Sequence, residues 1–406
     1  MTAMTQRQAV SVFLVFASAY FISTLIRAIT ATLAPTLVTE FALNARDLGL
    51  LAGGYFFGFA LTQLPLGTWL DRLGPKRVIL AFLSVAVIGA FAFSQATSFT
   101  GLLAARVLCG VGVSACLMAP LTGYRRWFAP ANLMRANSWM LMVGAMGMVA
   151  STLPVQWALA VVGWRVLFMG LGAMVVVAMA LIYWQVPEWQ STQPSAVGRL
   201  VAPGYGEIWR NPYFRRMVPL GFFNYGGMVA MQTLWAAPWM VKVNGYSPAQ
   251  AAGGLFWINI CMLFAFLAWG SLNPTLTRKG YTTERLVAVG VPVTLLLFAT
   301  ILIAGDAIST GANVLFVLYC VSSSVGAQIQ PSVGMAFPSA LAGRALSAFN
   351  LVVFAGVFSV QWGIGLLIDA FRAMGWQEVP AYQGALGVYG LCCVGAYLYF
   401  LAAKKP

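Results

Sequence analysis

Gly67-Thr68-Trp69-Leu70-Asp71-Arg72-Leu73-Gly74-Pro75-Lys76-Arg77 joins two long apolar runs, and its reading decides the fold. It puts one acid, three bases, two glycines and a proline into eleven positions of a chain that is only 8% charged. A connection this short between two membrane-length segments must turn tightly at a lipid surface. Gly67 and Gly74 permit close packing and unusual backbone angles there, and Pro75 is expected to stop the preceding helix.

The rest of the composition agrees with lipid as the solvent. The chain has 406 residues, 61% of them hydrophobic, and a mean hydropathy of +0.84. No soluble globular chain of this length hides that much apolar surface. The net charge of +14 then reports orientation and contact with anionic lipid, and no nucleic-acid partner is expected. The six cysteines, Cys109, Cys116, Cys261, Cys320, Cys392 and Cys393, all lie in apolar runs and read as small packing residues. With no histidine, His-based catalysis, most transition-metal sites and a histidine proton relay drop out; no metal or cofactor is expected. The start of the chain reads as a first spanning helix with no cleavable signal, because its apolar run continues to about Pro35.

About 20 apolar residues cross a hydrocarbon core of about 30 Å. Twelve stretches qualify: 9–36, 48–70, 76–96, 100–123, 137–160, 165–186, 216–241, 250–272, 284–304, 312–333, 345–369 and 382–402. With the N-terminus in the cytoplasm, seventeen of the 23 bases fall on the cytoplasmic side. Four, Arg46, Arg165, Lys242 and Arg372, fall outside, and Arg27 and Arg106 lie within helices. This split supports twelve spans with both termini cytoplasmic. The longest hydrophilic connection, 188–215, reads as a cytoplasmic linker between two bundles, 1–187 and 216–406. A weak repeat agrees: Leu51-Ala52-Gly53-Gly54 recurs as Ala251-Ala252-Gly253-Gly254. The stretch Gly270–Gly280 looks like a decayed copy of Gly67–Arg77 without an acid where Asp71 would fall. The expected architecture is an all-α integral membrane protein of twelve helices in two pseudo-symmetric six-helix bundles.

The pattern G-x-x-x-D-R-x-G-x-[KR]-[KR] in the opening stretch resembles the loop between helices 2 and 3 of major facilitator superfamily transporters. Arg106-Val107-Leu108-Cys109-Gly110-Val111-Gly112 resembles the R-x-x-x-G-x-G pattern of helix 4 in that family. Tyr124-Arg125-Arg126-Trp127-Phe128 resembles its basic-aromatic helix exit, and Gly163-Trp164-Arg165 with Phe168 its turn between helices 5 and 6. The Gly-Pro pair that antiporters of the family often carry in helix 5 is missing: that helix has Gly144-Ala145-Met146-Gly147 and a later Pro154. The resemblance implies a monomeric multi-pass carrier in a cell membrane, the inner membrane of a bacterium. It also implies that helices 1, 4, 7 and 10 line a central cavity. The loop residues Gly67, Asp71, Arg72, Gly74, Lys76 and Arg77 would form a conformational latch, with Asp71 meeting the N-terminal end of a helix in the other half.

Charges at membrane depth cost about 2.5 to 3.5 kcal/mol on insertion scales, so each calls for a reason. Tyr20, Ser23 or Thr24, Arg27 and Thr30 or Ala31 recur at helical spacing and share one face of helix 1. Arg106 lies in the second turn of helix 4. It either joins Arg27 in binding or ties helices together through backbone carbonyls. Arginine suits a carboxylate or phosphate ligand because its planar fork grips two oxygens. In the second half, Asn224, Tyr225, Met228, Gln232 and Trp235 on helix 7 and Gln328 with Ser322–Ser324 and Gln330 on helix 10 offer orienting groups or interhelical glue.

All nine acids, Glu40, Asp47, Asp71, Glu188, Glu207, Glu284, Asp306, Asp369 and Glu378, fall at helix ends or in loops under this topology. The paired arginines resemble the anion-cation symporter branch of the family. The acid that often follows the helix 4 arginine there is replaced by Gly110–Ala115, which leaves proton coupling by that route without its group. The resulting expectation is a secondary active transporter that moves a small organic anion across the bilayer by rocker-switch alternating access. Substrate contacts would come from Arg27, Tyr20, Thr24, Arg106, Asn224, Tyr225, Gln232, Trp235 and Gln328. The competing expectation is an efflux carrier for amphipathic or hydrophobic compounds, motivated by the 14% aromatic content. An enzyme is disfavoured because no acidic cluster, soluble catalytic domain or phosphate-cradling loop is present.

Overall fold

The computed structural model describes residues 4–128, 130–188, 205–308 and 311–403, and the described residues contain helices and no strand. The first part comprises α1 (Gln6–Phe41), α2 (Ala45–Leu61), α3 (Gln63–Leu73), α4 (Pro75–Ser94), α5 (Phe99–Val113), α6 (Ala115–Trp127), α7 (Pro130–Ala150) and α8 (Leu153–Gln185). Then follow α9 (Tyr205–Arg210), α10 (Pro212–Pro219), α11 (Gly226–Ala230), α12 (Ala236–Lys242), α13 (Pro248–Arg278) and α14 (Thr283–Ala304). The last are α15 (Ala312–Ser323), α16 (Ile329–Met335), α17 (Ser339–Ala373) and α18 (Glu378–Ala402).

Polar side chains mark where these helices start. The Thr5 hydroxyl accepts from the Gln8 amide and the Gln8 side chain returns the bond, closing a capping box. Ser247 and Gln250 do the same at α13, where Pro248 takes a position that needs no donor. Asn44 caps α2 through the amide of Asp47 at 2.8 Å.

Among the described residues nine helices are long and apolar enough to cross a membrane, or ten if the bent pair α2–α3 is one span. The twelve stretches read from hydropathy thus fall on helix, but not all on single rods. The 48–70 stretch bends by 45° between α2 and α3. The 137–160 stretch is interrupted at Ser151-Thr152, between α7 and α8. The rod α8 is itself broken at Gly163, whose φ of 73° belongs to the left-handed region. The 216–241 stretch is divided by two π-helical turns, Leu220–Tyr225 and Met231–Trp235.

The opening stretch needs correction. It is not a loop from Gly67 to Arg77. Helix α3 continues through Leu73, the turn is the single residue Gly74 at φ 80°, and Pro75 begins α4 instead of ending α3. Proline at the first helical position loses no hydrogen bond and has its φ already set. Gly67 sits within the helix facing open space, so Gly74 alone carries the conformational demand.

The helices up to α8 pack largely on one another, as α1 on α7 and α8, α2 on α5, and α4 on α5 and α8. The later ones do likewise, as α17 on α11 and α18, α13 on α15, and α14 on α15 and α18. The two sets meet most closely along α2 and α17, and again along α7 and α13. The 189–204 portion of the expected linker, Arg199 included, lies outside the described residues, as do Lys404 and Lys405. What is described at the linker's two ends touches the first set: Glu188 pairs with Lys76 at 2.9 Å, and the Tyr205 hydroxyl donates to the Leu64 carbonyl at 3.3 Å.

Candidate functional site

Arg27 projects from α1 into the interior between the two sets of helices. Its guanidinium carbon lies 5.4 Å from the centre of the Phe59 ring on α2 and 5.7 Å from that of Phe354 on α17. Those two rings are 4.4 Å apart, so the cation rests against an aromatic wall drawn from both parts of the chain. The Tyr55 hydroxyl, which donates to the Ser23 carbonyl at 3.4 Å, lies within electrostatic reach of the guanidinium, as do Tyr20 and Tyr225. The Arg27 Nε is buried with no hydrogen-bond partner. None of the ion pairs among the described residues includes Arg27.

Arg106 is 1% exposed. Its Nη1 donates to the Ile26 carbonyl at 2.9 Å, which ties α5 to α1 one residue from Arg27. Its Nε and Nη2 are buried without partners. The carbon at its fork is 5.1 Å from the centre of the Tyr55 ring. One tyrosine therefore stands between two cations, its ring beside Arg106 and the whole residue within electrostatic reach of Arg27. The position of that ring depends on Gly110, where any side chain would run into the Tyr55 carbonyl.

The other residues singled out from the sequence are distributed unevenly. Tyr20 lies near Arg27, with its ring packed on Gly144 of α7. Thr24 turns to α7 as well, packs against Gly147 and donates to the Phe21 carbonyl at 3.0 Å. Asn224 and Tyr225 end the first π turn, and the Asn224 Oδ1 is buried without a partner. A π turn widens the backbone by one residue and re-aims the side chains after it. Gln232 donates to Asn259 on α13 at 2.9 Å. Trp235 donates to the Gln361 carbonyl on α17 at 3.0 Å, and the side chain of Gln328 accepts from Asn273 at 2.9 Å. These three join helices to one another, whereas Arg27, Arg106, Asn224 and Tyr225 retain free polar capacity or stand around it.

Sequence reading did not single out Tyr55, Phe59 or Phe354. They sit in uniformly apolar, glycine-rich runs, and their relation to Arg27 exists only after α2 and α17 meet. Glu40, expected at a helix end or in a loop, stands at the end of α1. It accepts from the Trp164 indole at 2.6 Å and from Arg165 at 2.5 Å, so the Gly163-Trp164-Arg165 turn grips the end of α1.

The latch residues divide between two places. The guanidinium groups of Arg344 on α17 and Arg125 on α6 act on the Asp71 carboxylate. Lys76 and Arg77 face Glu188, at 2.9 and 3.9 Å. The Lys76 bond holds the exposed Glu188 carboxyl below the usual carboxylate range. Arg72 is exposed. At the far end of the same helix pair stands an acid that sequence reading did not relate to the latch: Asp369 on α17 accepts from the Ala45 and Arg46 amides at 3.2 and 2.8 Å. These are unpaired first-turn donors of α2, and the positive end of the helix favours the carboxylate. Beside this contact, a cavity of about 390 Å³ is lined by Thr32, Pro35, Lys242, Asp369, Arg372 and Tyr382, and it reaches Ala31, one turn from Arg27.

Membrane-length helices that set a cation between two helix sets suit a solute carrier, and comparison with known proteins supplies the class. Residues 16–361 match the sequence profile of the Major Facilitator Superfamily. The chain belongs to that family. Curated relatives include a probable sulfoacetate transporter, SauU, of Cupriavidus necator, 25% identical over 57% of this chain and 57% of that one. The uncharacterized transporter YybO of Bacillus subtilis is 23% identical over 80% of both chains. The 3-(3-hydroxy-phenyl)propionate transporter of Escherichia coli is 26% identical over 64% of both. Thus the match spans a little over half of the SauU relative. Among solved structures, an inward-facing bacterial homolog of the human lysosomal transporter Spinster superposes with a TM-score of 0.76 at 18% identity, covering 98% of this chain and 96% of that one. A D-xylose-proton symporter gives 0.76 at 17% identity, covering 98% of both. The transporter family is therefore the one expected from the opening stretch, and the all-helical fold with its membrane-length helices agrees with it.

Proposed function

We propose that this transporter is a secondary carrier of small organic anions, working by alternating access, with Arg27 as the charge anchor. The observation that carries this reading is the Arg27 guanidinium itself. It is set in the interior against rings from both helix sets, with an unpartnered Nε and no carboxylate paired to it. A buried cation without a counter-charge is costly, and an anionic ligand removes the cost. The hydroxyls of Tyr20, Tyr55 and Tyr225 and the free Asn224 Oδ1 would orient the rest of the ligand, and Arg106 would add positive field. In this reading Thr24, Gln232, Trp235 and Gln328 act by holding the helices that carry the site. The relatives named for sulfoacetate and 3-(3-hydroxy-phenyl)propionate, and another named for 4-hydroxybenzoate, point to carboxylates and sulfonates as the ligand class.

The mechanism uses twelve spans in two six-helix halves, 1–187 and 216–406, joined by 188–215, with both ends in the cytoplasm of a bacterial cell and the carrier working as a monomer. Asp71, within electrostatic reach of Arg344 on α17 and Arg125 on α6, would be the latch of one face, with Gly74 as its joint. Purified protein should gain thermal stability with sulfoacetate or 4-hydroxybenzoate, since a ligand that binds only the folded form stabilises it by mass action. Arg27→Ala should weaken binding roughly ten- to a hundredfold, the worth of about 1.5–3 kcal/mol for a charge-assisted hydrogen bond. The same shift in wild type and Arg27→Ala would remove Arg27 from the site. The aromatic wall also favours a second reading, an exporter of amphipathic compounds, which predicts that transport of a neutral amphiphile survives Arg27→Ala intact.

A further inference from the structure

We infer that this carrier is an obligatory anion exchanger: it changes face rapidly when loaded and very slowly when empty, so one anion enters only as another leaves. The inference rests on Arg27 being the anion site. It starts from what alternating access demands. Loaded or empty, the carrier must pass through a state in which the site is shut from both sides, and any charge inside then loses its water.

Two cations flank Tyr55. Arg27 has its Nε unpartnered, and Arg106 has Nε and Nη2 unpartnered, its Nη1 bonding to a neutral carbonyl. Arginine does not give up its proton in a protein. The chain supplies nothing to neutralise the pair. Its acids stand at the helix ends: Glu40 bonds to Trp164 and Arg165, Asp369 to the start of α2, Glu378 to Lys242 and Glu188 to Lys76. The others, Asp47, Asp71, Glu207, Glu284 and Asp306, are likewise in terminal turns or short connecting helices. With no histidine in the chain and no carboxylate beside the arginines, a proton has no group to discharge there. The shut, empty site therefore carries two positive charges. A monoanion leaves one, and a dianion leaves none. The loaded form is the one that can close, and release on either side leaves the carrier waiting for a second anion.

The test uses the purified full chain in liposomes, with radiolabelled sulfoacetate outside. This dianion does not cross lipid as a neutral acid. Vesicles are loaded either with unlabelled sulfoacetate or with sucrose buffer, and binding is checked separately by thermal shift. Initial uptake should be at least tenfold faster into the sulfoacetate-loaded vesicles. It should also be insensitive to collapse of a proton gradient or of the membrane potential, because equal charges trade places. Ser23→Asp supplies the second arm. Ser23 lies four residues before Arg27 on the same face of α1, with its hydroxyl buried and unpartnered. An acid there should neutralise Arg27, weaken sulfoacetate binding and bring the loaded and unloaded rates within about threefold. Ser23→Asn, of the same size, should keep the wild-type ratio. Equal rates in loaded and unloaded vesicles for the wild type, with binding still lost in Arg27→Ala, would overturn exchange and leave the anion site standing. Uptake into unloaded vesicles driven by a proton gradient would overturn it as well. Identical sulfoacetate binding by wild type and Arg27→Ala would instead remove the anion site, and exchange with it.

Discussion

The two interior arginines carry the same charge and lie close together, yet their surroundings assign them different work. Arg106 holds the Ile26 carbonyl and is almost fully buried. Arg27 lies against the seam between the two helix sets. A buried cation with unpaired nitrogens is a poor source of stability, because nothing repays the cost of taking its charge out of water. Arg106→Met is therefore expected to keep or raise the melting temperature of the purified carrier. If Arg106 adds field to the anion site, sulfoacetate affinity should still fall, by roughly tenfold for a lost interaction of about 1.4 kcal/mol. A melting point several degrees lower with unchanged affinity would make Arg106 a structural tie alone. Sequence showed that both arginines need a reason. It could not show which neighbours they have, because Tyr55 and Phe354 are separated from Arg27 in the chain and meet it only through packing.

The decisive elements are α2 and α17, which run together with an acid near each end of the pair. Asp71, near the end of α3, acts with Arg344 of α17, and Asp369, near the end of α17, takes the first amides of α2. The sequence reading placed a latch in the Gly67–Arg77 stretch, with Asp71 as its acid, and found no matching acid in the copy at 270–280, most of which lies within α13. The counterweight stands instead on α17, at the other end of the pair. At that end the backbones touch: a side chain at Gly49 would strike the Gln361 carbonyl, and one at Gly365 the Ala45 carbonyl. Asp369→Asn should weaken this closure by about 0.3–1 kcal/mol, the usual worth of a charge at a helix end. Gly49→Ala should act more strongly, by about 1–3 kcal/mol, because backbone atoms must move apart. Distances between spin labels at Arg46 and Arg372 should shift toward the open population in both variants. Asp71→Asn should shift the population the opposite way at this end. Unchanged distance distributions in all three would deny the pair a gating role.

On the scale of the whole molecule, the division of charge remains the most economical account of how the chain sits in its membrane. The proposed orientation places Arg77 and Arg210 on one face and Lys242 and Arg372 on the other. Single cysteines at these positions, in a background without the six native ones, should separate cleanly. A membrane-impermeant thiol reagent applied to whole cells should label positions 242 and 372 and leave 77 and 210 untouched. Labelling of position 77 from outside would overturn the proposed orientation and the twelve spans it assumes.

Hydropathy, the position of bases and the pattern around Asp71 were enough to place this chain among membrane carriers. Each of these depends on one residue, or one segment, meeting lipid or water, and that preference is local. The same local logic marked Arg27 and Arg106 as costly, and it put the acids at helix ends or in loops. Where the helices break was less legible. The single-residue joint at Gly74 and the π turns around Gly226–Ala230 arise from backbone fit, which hydropathy does not register. The aromatic wall around Arg27, the two-cation arrangement at Tyr55 and the Asp369 closure were decided only by the tertiary structure. Each joins residues far apart in the chain, and their meeting is set by how closely glycine-lined helices can approach, a property of the pair and not of either strand of sequence alone.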